Sequence, residues 1–293
     1  MSVYISLTSI FKNQKILLAT LQSIISQTQQ PDKIFLYLSE EPFILDSGFE
    51  NKEITNVDLL NFLEENKEII QINWVENEGP YRKLLPLLKE KWEEDCVIIT
   101  IDDDTIYDTN LIENMINDYN KHNCVVNYRG FTPNISKLED FDYSIRKKLI
   151  NKHLYNFPTG KGGILYKPQF FHKTNELVFN KNLYLNVCSK QDDLWFYIIR
   201  IKNDIECFID KKTYMTKNLE NNGLFVVFNK EKNHNTIVFH EILKELKVLD
   251  LDLDLDLDLD LNLDLDLDLN LDLDLDLNLD LDLDLNLDLD LDL

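Results

Sequence analysis

The chain has 293 residues, of which 28% are charged, and its formal net charge at pH 7 is −23. Eighteen of its 53 acidic residues lie in the carboxyl-terminal tail, so the other 35 nearly balance the 30 Lys and Arg residues. The body of the chain therefore has no strongly basic stripe, and we expect no nucleic-acid partner.

The first elements of the chain form a repeating unit. An apolar run at residues 3–7 predicts a strand, three- and four-residue apolar spacing at 15–27 predicts a helix, and 33–39 predicts a second strand. These three elements form a β-α-β unit, whose strands should be parallel with a right-handed crossover.

The alternation continues beyond this unit. The next predicted elements are a helix at 57–66, a strand at 69–74, a turn and helix at 79–92, and a strand at 96–101. Three more helices are predicted, at 109–121 with Asp108 or Thr109 as cap, at 191–201 and at 236–249. Repeated β-α units predict the α/β class, with a mixed, mostly parallel sheet flanked by helices.

The tail differs from the body in composition. From residue 250 onwards Leu alternates strictly with Asp or Asn, and the Asn residues recur eight positions apart, as in a low-complexity repeat. Period-two alternation favours an amphipathic strand that pairs with itself, whereas the high charge favours disorder. We predict a folded domain at 1–248 and a repeat tail at 249–293.

Cysteine usage and hydropathy bear on location. The four cysteines are scattered, which predicts free thiols in a reducing compartment. No stretch reaches the roughly 20 apolar residues that a membrane-spanning helix needs, and the first residues do not resemble a secretory signal. We expect a cytoplasmic protein with no transmembrane segment, peripheral to a membrane only through partners.

Three aspartates, Asp102, Asp103 and Asp104, follow the strand at 96–101. The carboxyl ends of such strands face the ligand crevice of an α/β sheet, and neighbouring carboxylates repel unless a cation offsets them. Alternate residues of an extended segment share a side, so Asp102 and Asp104 are the predicted ligands of Mn or Mg. The alternative is an acidic loop that caps the next helix.

Asp192 and Asp193 form a second acidic pair, at the start of the helix predicted at 191–201. Carboxylates in this position satisfy free backbone N–H groups and interact favourably with the helix dipole. The alternative is that one aspartate caps the helix and the other is a general base in a cleft.

Three further features are candidates for ligand contact. Arg82 and Lys83 lie at a predicted helix start, where an anion would explain them better than the helix dipole does; the alternative is solvated surface charge. The glycine cluster at 159–163 indicates close ligand approach or a simple turn. His234 and His240 are possible metal ligands, although single histidines are more often structural.

Taken in order, several short motifs resemble the signature of GT-A fold glycosyltransferases, family 2-like, across residues 3–201. The motifs are Ser6-Leu7-Thr8-Ser9, Gln27-Thr28, Pro31-Asp32-Lys33-Ile34, Leu38-Ser39, Gly79-Pro80, Lys83-Leu84, Asp102-Asp103-Asp104, Gly162-Gly163-Ile164-Leu165-Tyr166 and Asp192-Asp193-Leu194-Trp195.

This resemblance implies a GT-A, Rossmann-like fold, a nucleotide-sugar donor, a glycan or glycoconjugate acceptor, and Mn or Mg held by a DxD motif through Asp102 and Asp104. Asp193 or Asp192 would activate the acceptor hydroxyl, and direct displacement with one base implies inversion. The implied donor-binding residues are Thr8, Ser9, Ser39, Gly79, Pro80, Lys83, Asp102 and Asp103. The implied acceptor-binding residues are Gly162, Gly163 and Trp195.

One segment departs from the family pattern. After Ser9 the family more often has a Tyr-Pro-x-Arg segment, but here Ile10-Phe11-Lys12-Asn13 follows, and Lys12 can replace an arginine only as a point charge. Two other functions remain open. A nucleotidyltransferase would more naturally have a glycine-rich loop after the first strand, where residues 8–15 contain no glycine. The other is a non-catalytic binder of nucleotide sugars or carbohydrates.

Overall fold

The structure is a computed structural model that describes residues 1–219 and 233–247. The chain divides into two compact units, Met1–Leu243 and Lys244–Leu293, and the sheet described below belongs to the first. The predicted repeat tail lies outside the described residues. The cysteines are free and buried, as expected.

The predicted helices and strands of the first half of the chain are confirmed. The strands are β1 (Ser2–Thr8), β2 (Lys33–Leu38), β3 (Ile70–Trp74), β4 (Cys96–Thr100), β5 (Thr105–Tyr107), β6 (Val125–Asn127), β7 (Gly130–Pro133), β8 (Arg146–Lys147), β9 (Lys152–His153), β10 (Phe157–Pro158), β11 (Ile164–Tyr166), β12 (Cys207–Ile209) and β13 (Met215–Asn218). The helices are α1 (Gln14–Ile25), α2 (Val57–Glu65), α3 (Leu85–Glu90), α4 (Leu111–His122), α5 (Asn175–Val178), α6 (Lys181–Cys188) and α7 (Asp192–Lys202). Residues 234–247 are also helical.

An eight-stranded sheet has the order β3-β2-β1-β4-β11-β6-β12-β9. The strands from β3 to β4 are parallel, β11 is antiparallel to both of its neighbours, and β12 is parallel to β6. The mixed, mostly parallel sheet predicted from the sequence is therefore confirmed. Parallel strands covered by helices on both faces are apolar throughout, and every residue of β4 is buried accordingly.

The start of the helix that follows β5 differs from the sequence prediction. The helix predicted at 109–121 begins at Leu111, and its cap position is Asn110, with no side-chain cap. The Asp108 carboxylate instead accepts a hydrogen bond from the Asn110 backbone N–H at 3.1 Å, which makes a turn before the helix. The predicted cap at Asp108 or Thr109 is therefore wrong. The closing helix is described as far as residue 247, and no described helix has the length and apolar character to cross a membrane.

A buried ion pair fixes the loop that follows β2. The Arg82 guanidinium, in the 3₁₀ helix Gly79–Lys83, donates to Asp46 Oδ2 at 3.1 Å and to Ser39 Oγ at 2.6 Å. Both charged side chains of the pair are 2% exposed. Asp46 Oδ1 also accepts the backbone N–H of Phe11 at 3.1 Å. One carboxylate thus joins the segments that follow β1, β2 and β3.

Asp46→Ala is expected to destabilise the protein by about 3–5 kcal/mol, because it leaves the Arg82 guanidinium buried without its counter-charge. The matched control is Lys67→Ala, which removes an ion pair whose side chains are 62% and 72% exposed and should cost less than about 1 kcal/mol. Urea unfolding of both variants measures the difference. Equal losses of stability in the two would contradict this account of the Arg82–Asp46 pair.

Candidate functional site

A cavity of about 510 Å³ opens where β1 and β4 end. Because the carboxyl ends of parallel strands meet at one edge of a sheet, residues that follow separate strands converge there. Ten of the predicted site residues line this cavity: Thr8, Ser9, Gly79, Pro80, Lys83, Asp102, Asp103, Asp104, Asp192 and Asp193.

Asp103 is bonded to the segment that follows β1. Its Oδ2 accepts hydrogen bonds from Ser9 Oγ and, at 3.1 Å, from Asn13 Nδ2. Burial raises the pKa of Asp103 to about 7, against the opposing effect of these two donors. Asp103 is thus bonded to residues that follow β1, whereas Asp102 and Asp104 contact Lys83 and Lys161.

Asp104 is held by a lysine from a distant turn. Lys161 Nζ lies 3.0 Å from Asp104 Oδ1 and 3.1 Å from Oδ2, so one ammonium bridges both carboxylate oxygens. Thr105 Oγ1 donates to the same carboxylate at 3.0 Å. Lys161 belongs to the 3₁₀ turn Gly160–Gly162, which brings it across the cavity edge to the end of β4.

Lys83 lies between the two acidic motifs. Its Nζ is 2.9 Å from Asp192 Oδ2 and 3.4 Å from Asp102 Oδ1. Burial lowers the pKa of this ammonium, but the surrounding carboxylates, Asp192 above all, outweigh burial and hold the pKa well above its usual range. Lys83 is therefore charged at neutral pH, and its charge is shared among acids from β4 and α7.

Asp193 has the environment of a base. Its Oδ2 accepts the backbone N–H of Gly160 at 3.0 Å. Burial, and next the charge of Asp192, raise the pKa of Asp193 to about 7, although Lys83 and the Gly160 N–H act in the opposite direction. A carboxyl whose pKa is close to neutral pH exchanges protons readily in both directions, as general acid-base catalysis requires.

The two aspartates of α7 do not cap the helix. The cap position is Gln191, with no side-chain cap, while Asp192 and Asp193 lie in the first turn. Their carboxylates are directed at Lys83 and at Gly160. The prediction that one of them caps the helix is therefore wrong, and both aspartates line the cavity.

The acid triplet fits a divalent cation only in part. Among the described residues, no group of three or more His, Cys, Asp or Glu side chains could hold a metal alone. Mg and similar hard cations usually bind one or two carboxylates together with substrate phosphates. Asp102 fits this use because its side chain is 32% exposed, whereas Asp104 could take part only after Lys161 left it.

Two predicted ligand contacts are wrong because the side chains are buried elsewhere. Trp195 is 0% exposed, and its Nε1 donates to the carbonyl of Val178 at 3.3 Å, so it belongs to the core and presents nothing to an acceptor. Ser39 is also 0% exposed and accepts from Arg82. Arg82 lines the cavity, but its guanidinium is paired with Asp46, and the phosphate contact expected of it stays a prediction.

The predicted glycines Gly162 and Gly163 shape the turn and do not line the cavity. A Cβ on Gly162 would lie 2.5 Å from the Cβ of Arg129, and Gly163 has φ +70 with its missing side chain directed at Met115. The contact with an acceptor expected of these two glycines stays a prediction. The neighbouring residues Gly160 and Lys161 line the cavity instead.

The two candidate histidines have structural partners. His240 Nε2 lies 3.0 Å from the carbonyl oxygen of Phe141, and His234 Nε2 lies 3.0 Å from Gln191 Nε2. Both bonds join the closing helix to the rest of the first unit. Nothing in these contacts points to a metal.

Sequence reasoning missed several residues of the cavity wall. Lys161 was visible only as part of a glycine cluster, although a lysine between two glycines was a signal for a cation in a turn that approaches a ligand closely. Arg129, Tyr143 and Arg146 also line the cavity, and the weak periodicity of residues 127–181 gave no sign of this.

Comparison with known proteins gives similarity of structure alone. No family model and no curated protein matches the chain. The structure of S. aureus TarS 1-349 in complex with UDP has a TM-score of 0.48 and 13% identity, and the match covers 73% of this chain and 59% of that one. The structure of S. aureus TarS 1-349 in complex with UDP-GlcNAc has a TM-score of 0.45 and 12% identity, and the match covers 73% of this chain and 57% of that one. The structure of S. aureus TarS has a TM-score of 0.49 and 15% identity, with coverage of 73% of this chain and 36% of that one.

This chain therefore spans less than two thirds of each TarS chain. In its own sheet, one antiparallel strand, β11, lies beside four parallel strands, in agreement with the mixed, mostly parallel sheet predicted from the sequence.

Lys83→Met is expected to raise the pKa of Asp193 above its value of about 7, roughly by 1–3 units, because a neighbouring positive charge is removed. Titration of the aspartate carboxyl carbons by NMR measures the change. The control Lys67→Met removes an exposed ammonium outside the cavity and should leave the titration of Asp193 unchanged. An unchanged pKa in Lys83→Met would refute the proposed charge balance.

Proposed function

We propose that this chain transfers a sugar from a nucleotide-sugar donor to a hydroxyl group of a glycan or glycoconjugate. The observation that carries the proposal is the single cavity that holds both the acid triplet with its lysines and the Asp193 carboxylate. Cleavage of the donor needs positive charge at the departing diphosphate, and activation of the acceptor needs a base. The same cavity supplies the positive charge and the base.

The donor binds on the side of the cavity formed after β1 and β4. Four lysines line the cavity, Lys12, Lys83, Lys161 and Lys190, and their positive charge suits an anionic diphosphate. The wall residues that we assign to the donor are Thr8, Ser9, Gly79, Pro80, Lys83, Asp102 and Asp103.

A divalent cation, Mn or Mg, is the proposed cofactor. Asp102 would hold it, joined by Asp104 once Lys161 has left that carboxylate. When bound, such a cation supplies Lewis-acid charge to the diphosphate leaving group. After its release from Asp104, the ammonium group of Lys161 pairs with the phosphate oxygens of the donor.

Asp193 is the proposed general base. The acceptor oxygen forms a bond to the anomeric carbon, the bond from that carbon to the phosphate oxygen breaks with its electron pair, and the hydroxyl proton passes to the Asp193 carboxylate. Asp192 is bound to Lys83 at 2.9 Å, and this pairing favours Asp193 for the role. Direct displacement inverts the anomeric configuration, which NMR of the product would test.

Asp193→Asn is expected to lower kcat by roughly 10²–10⁴, since it removes the base but keeps the size of the side chain. The affinity for nucleotide, measured by calorimetry, should change little. Asp95→Asn is the matched control, because Asp95 is exposed, pairs with Lys167 and does not line the cavity. Full activity of Asp193→Asn would exclude it as the base.

The pH profile tests the same assignment. A base must be unprotonated to act, so kcat/KM should rise with pH and level off above a pKa of about 7. Asp103 also has a raised pKa of about 7, and Asp103→Asn distinguishes the two carboxyls. If Asp103→Asn removes the inflection while retaining activity, the inflection belongs to Asp103 and the assignment to Asp193 is wrong.

Removal of metal with EDTA is expected to abolish most transfer activity, and Mn should restore it. Asp102→Asn should raise the Mn concentration for half-maximal activity by roughly tenfold or more. Lys161→Met should lower that concentration, because the competitor for Asp104 is gone. Undiminished activity of the wild type in EDTA, together with its loss in Lys161→Met, would show that the ammonium replaces the metal.

The two alternative functions have their own outcomes in a screen of nucleotide sugars. Binding with neither hydrolysis nor transfer would favour a non-catalytic binder. Release of pyrophosphate from nucleoside triphosphates in the presence of a sugar phosphate would favour a nucleotidyltransferase.

A further inference from the structure

Part of the cavity wall is not used by the donor or by the base as assigned above. It is formed by Arg129, which follows β6, by Tyr143, and by Arg146 in β8. These residues come from elements that lie outside the β1 to β4 half of the sheet. Phe157, in β10, completes this part of the wall.

Arg129 is held in place from several directions. Its backbone N–H donates to Asn127 Oδ1 at 3.1 Å, and its carbonyl accepts the N–H of Thr159 at 2.9 Å. Its Nη1 donates to Thr159 Oγ1 at 2.9 Å. Gly162 packs so closely against Arg129 that a Cβ there would approach its backbone N to 2.6 Å. These contacts therefore fix the position of the Arg129 guanidinium.

Arg146 is positioned by aromatic rings. Its guanidinium carbon lies 4.0 Å from the ring centroid of Phe131 and 5.7 Å from that of Tyr143. Stacking of this kind uses the face of the guanidinium and leaves its N–H groups at the edge available for acceptors.

Within residues 1–219 and 233–247, neither arginine forms an ion pair with a carboxylate. The ion pairs found among the described residues involve neither guanidinium. Both side chains are exposed at the cavity rather than buried with a counter-charge. By contrast, Arg82 in the same chain is paired with Asp46. Two guanidinium groups on one cavity wall, neither of them paired with a carboxylate of a described residue, suit an anion from outside.

The arginines are close to the proposed base. Thr159, which binds the Arg129 side chain, directly precedes Gly160, whose N–H holds Asp193. Tyr143 is near all three charges: burial raises the pKa of its phenol, the Asp193 charge raises it further, and Arg146 and Arg129 lower it. The unbalanced positive charge therefore lies within reach of a molecule whose hydroxyl contacts Asp193.

We infer that Arg129 and Arg146, with Tyr143, form an anion-binding subsite for the acceptor, which carries a phosphate or a carboxylate beside the hydroxyl that receives the sugar. This inference rests on the proposed function, because it is the transfer reaction that requires an acceptor. Guanidinium groups bind both kinds of anion in bidentate fashion, so the chemistry is shared and the source is decided by experiment.

The test measures binding by calorimetry to the full chain, with sn-glycerol 3-phosphate, D-glucuronate and uncharged glycerol as probes. At least one anionic probe should bind, and glycerol should not. Arg146→Met should weaken that binding at least tenfold while changing the affinity for UDP or GDP less than twofold. Lys89→Met, which removes an exposed ammonium outside the cavity, should change neither.

Arg146→Met is preferred to Arg129→Met because Arg129 also supports Thr159, and a thermal melt of Arg146→Met verifies that the variant is folded. Tighter binding of sn-glycerol 3-phosphate indicates an acceptor that carries a phosphate. Tighter binding of D-glucuronate indicates an acceptor that carries a carboxylate. The subsite is refuted if neither anion binds, if Arg146→Met binds them as the wild type does, or if nucleotide affinity falls equally. Failure of every nucleotide sugar to react would refute the proposed function alone, since anion binding dependent on Arg146 would still support the subsite.

Discussion

The buried ammonium of Lys83 is the charge on which the rest of the site depends. It stands between Asp102 at the end of β4 and Asp192 at the start of α7, which would otherwise repel each other and their neighbours. Its position is set by the backbone, because Ser6 Oγ in β1 donates to the Lys83 carbonyl at 2.6 Å. The sheet thus fixes the cation, and the cation holds the two acidic motifs together in one cavity.

Arg82 and Lys83 are adjacent in the 3₁₀ helix Gly79–Lys83 but have different roles. The chemistry of the two side chains explains this difference. Arg82 has a planar fork that needs fixed acceptors, and it finds them in Asp46 and Ser39 inside the protein. Lys83 is a compact charge that can serve several carboxylates at once. The arginine therefore secures the loop around the site, and the lysine sets its electrostatics. Sequence analysis assigned both residues to a bound anion, because the sequence does not reveal which carboxylates each side chain meets.

The elements could be predicted from sequence because strand and helix periodicities are local, and the position of Asp102 to Asp104 followed from the polarity of parallel strands. Features that depend on contacts between residues far apart in the sequence could not be predicted. Lys161 meets an acid 57 residues earlier in the chain. Trp195 lies on an apolar helix face that has the same spacing whether it packs in a core or lines a pocket. The role of Gly163 depends on its positive φ, which cannot be read from the residue pattern.

The turn at residues 159–161 connects the three parts of the cavity through consecutive residues. Thr159 binds the Arg129 side chain, the Gly160 N–H binds Asp193, and Lys161 bridges the oxygens of Asp104. Gly160 cannot carry a side chain without approaching Lys83 Nζ to 2.6 Å, so the turn is also pressed against the central cation. The side chain that bridges the oxygens of Asp104 and the backbone N–H that binds Asp193 thus belong to adjacent residues. Because the hydrogen bond from Gly160 lowers the pKa of Asp193, the conformation of this turn sets how strong a base the carboxylate is.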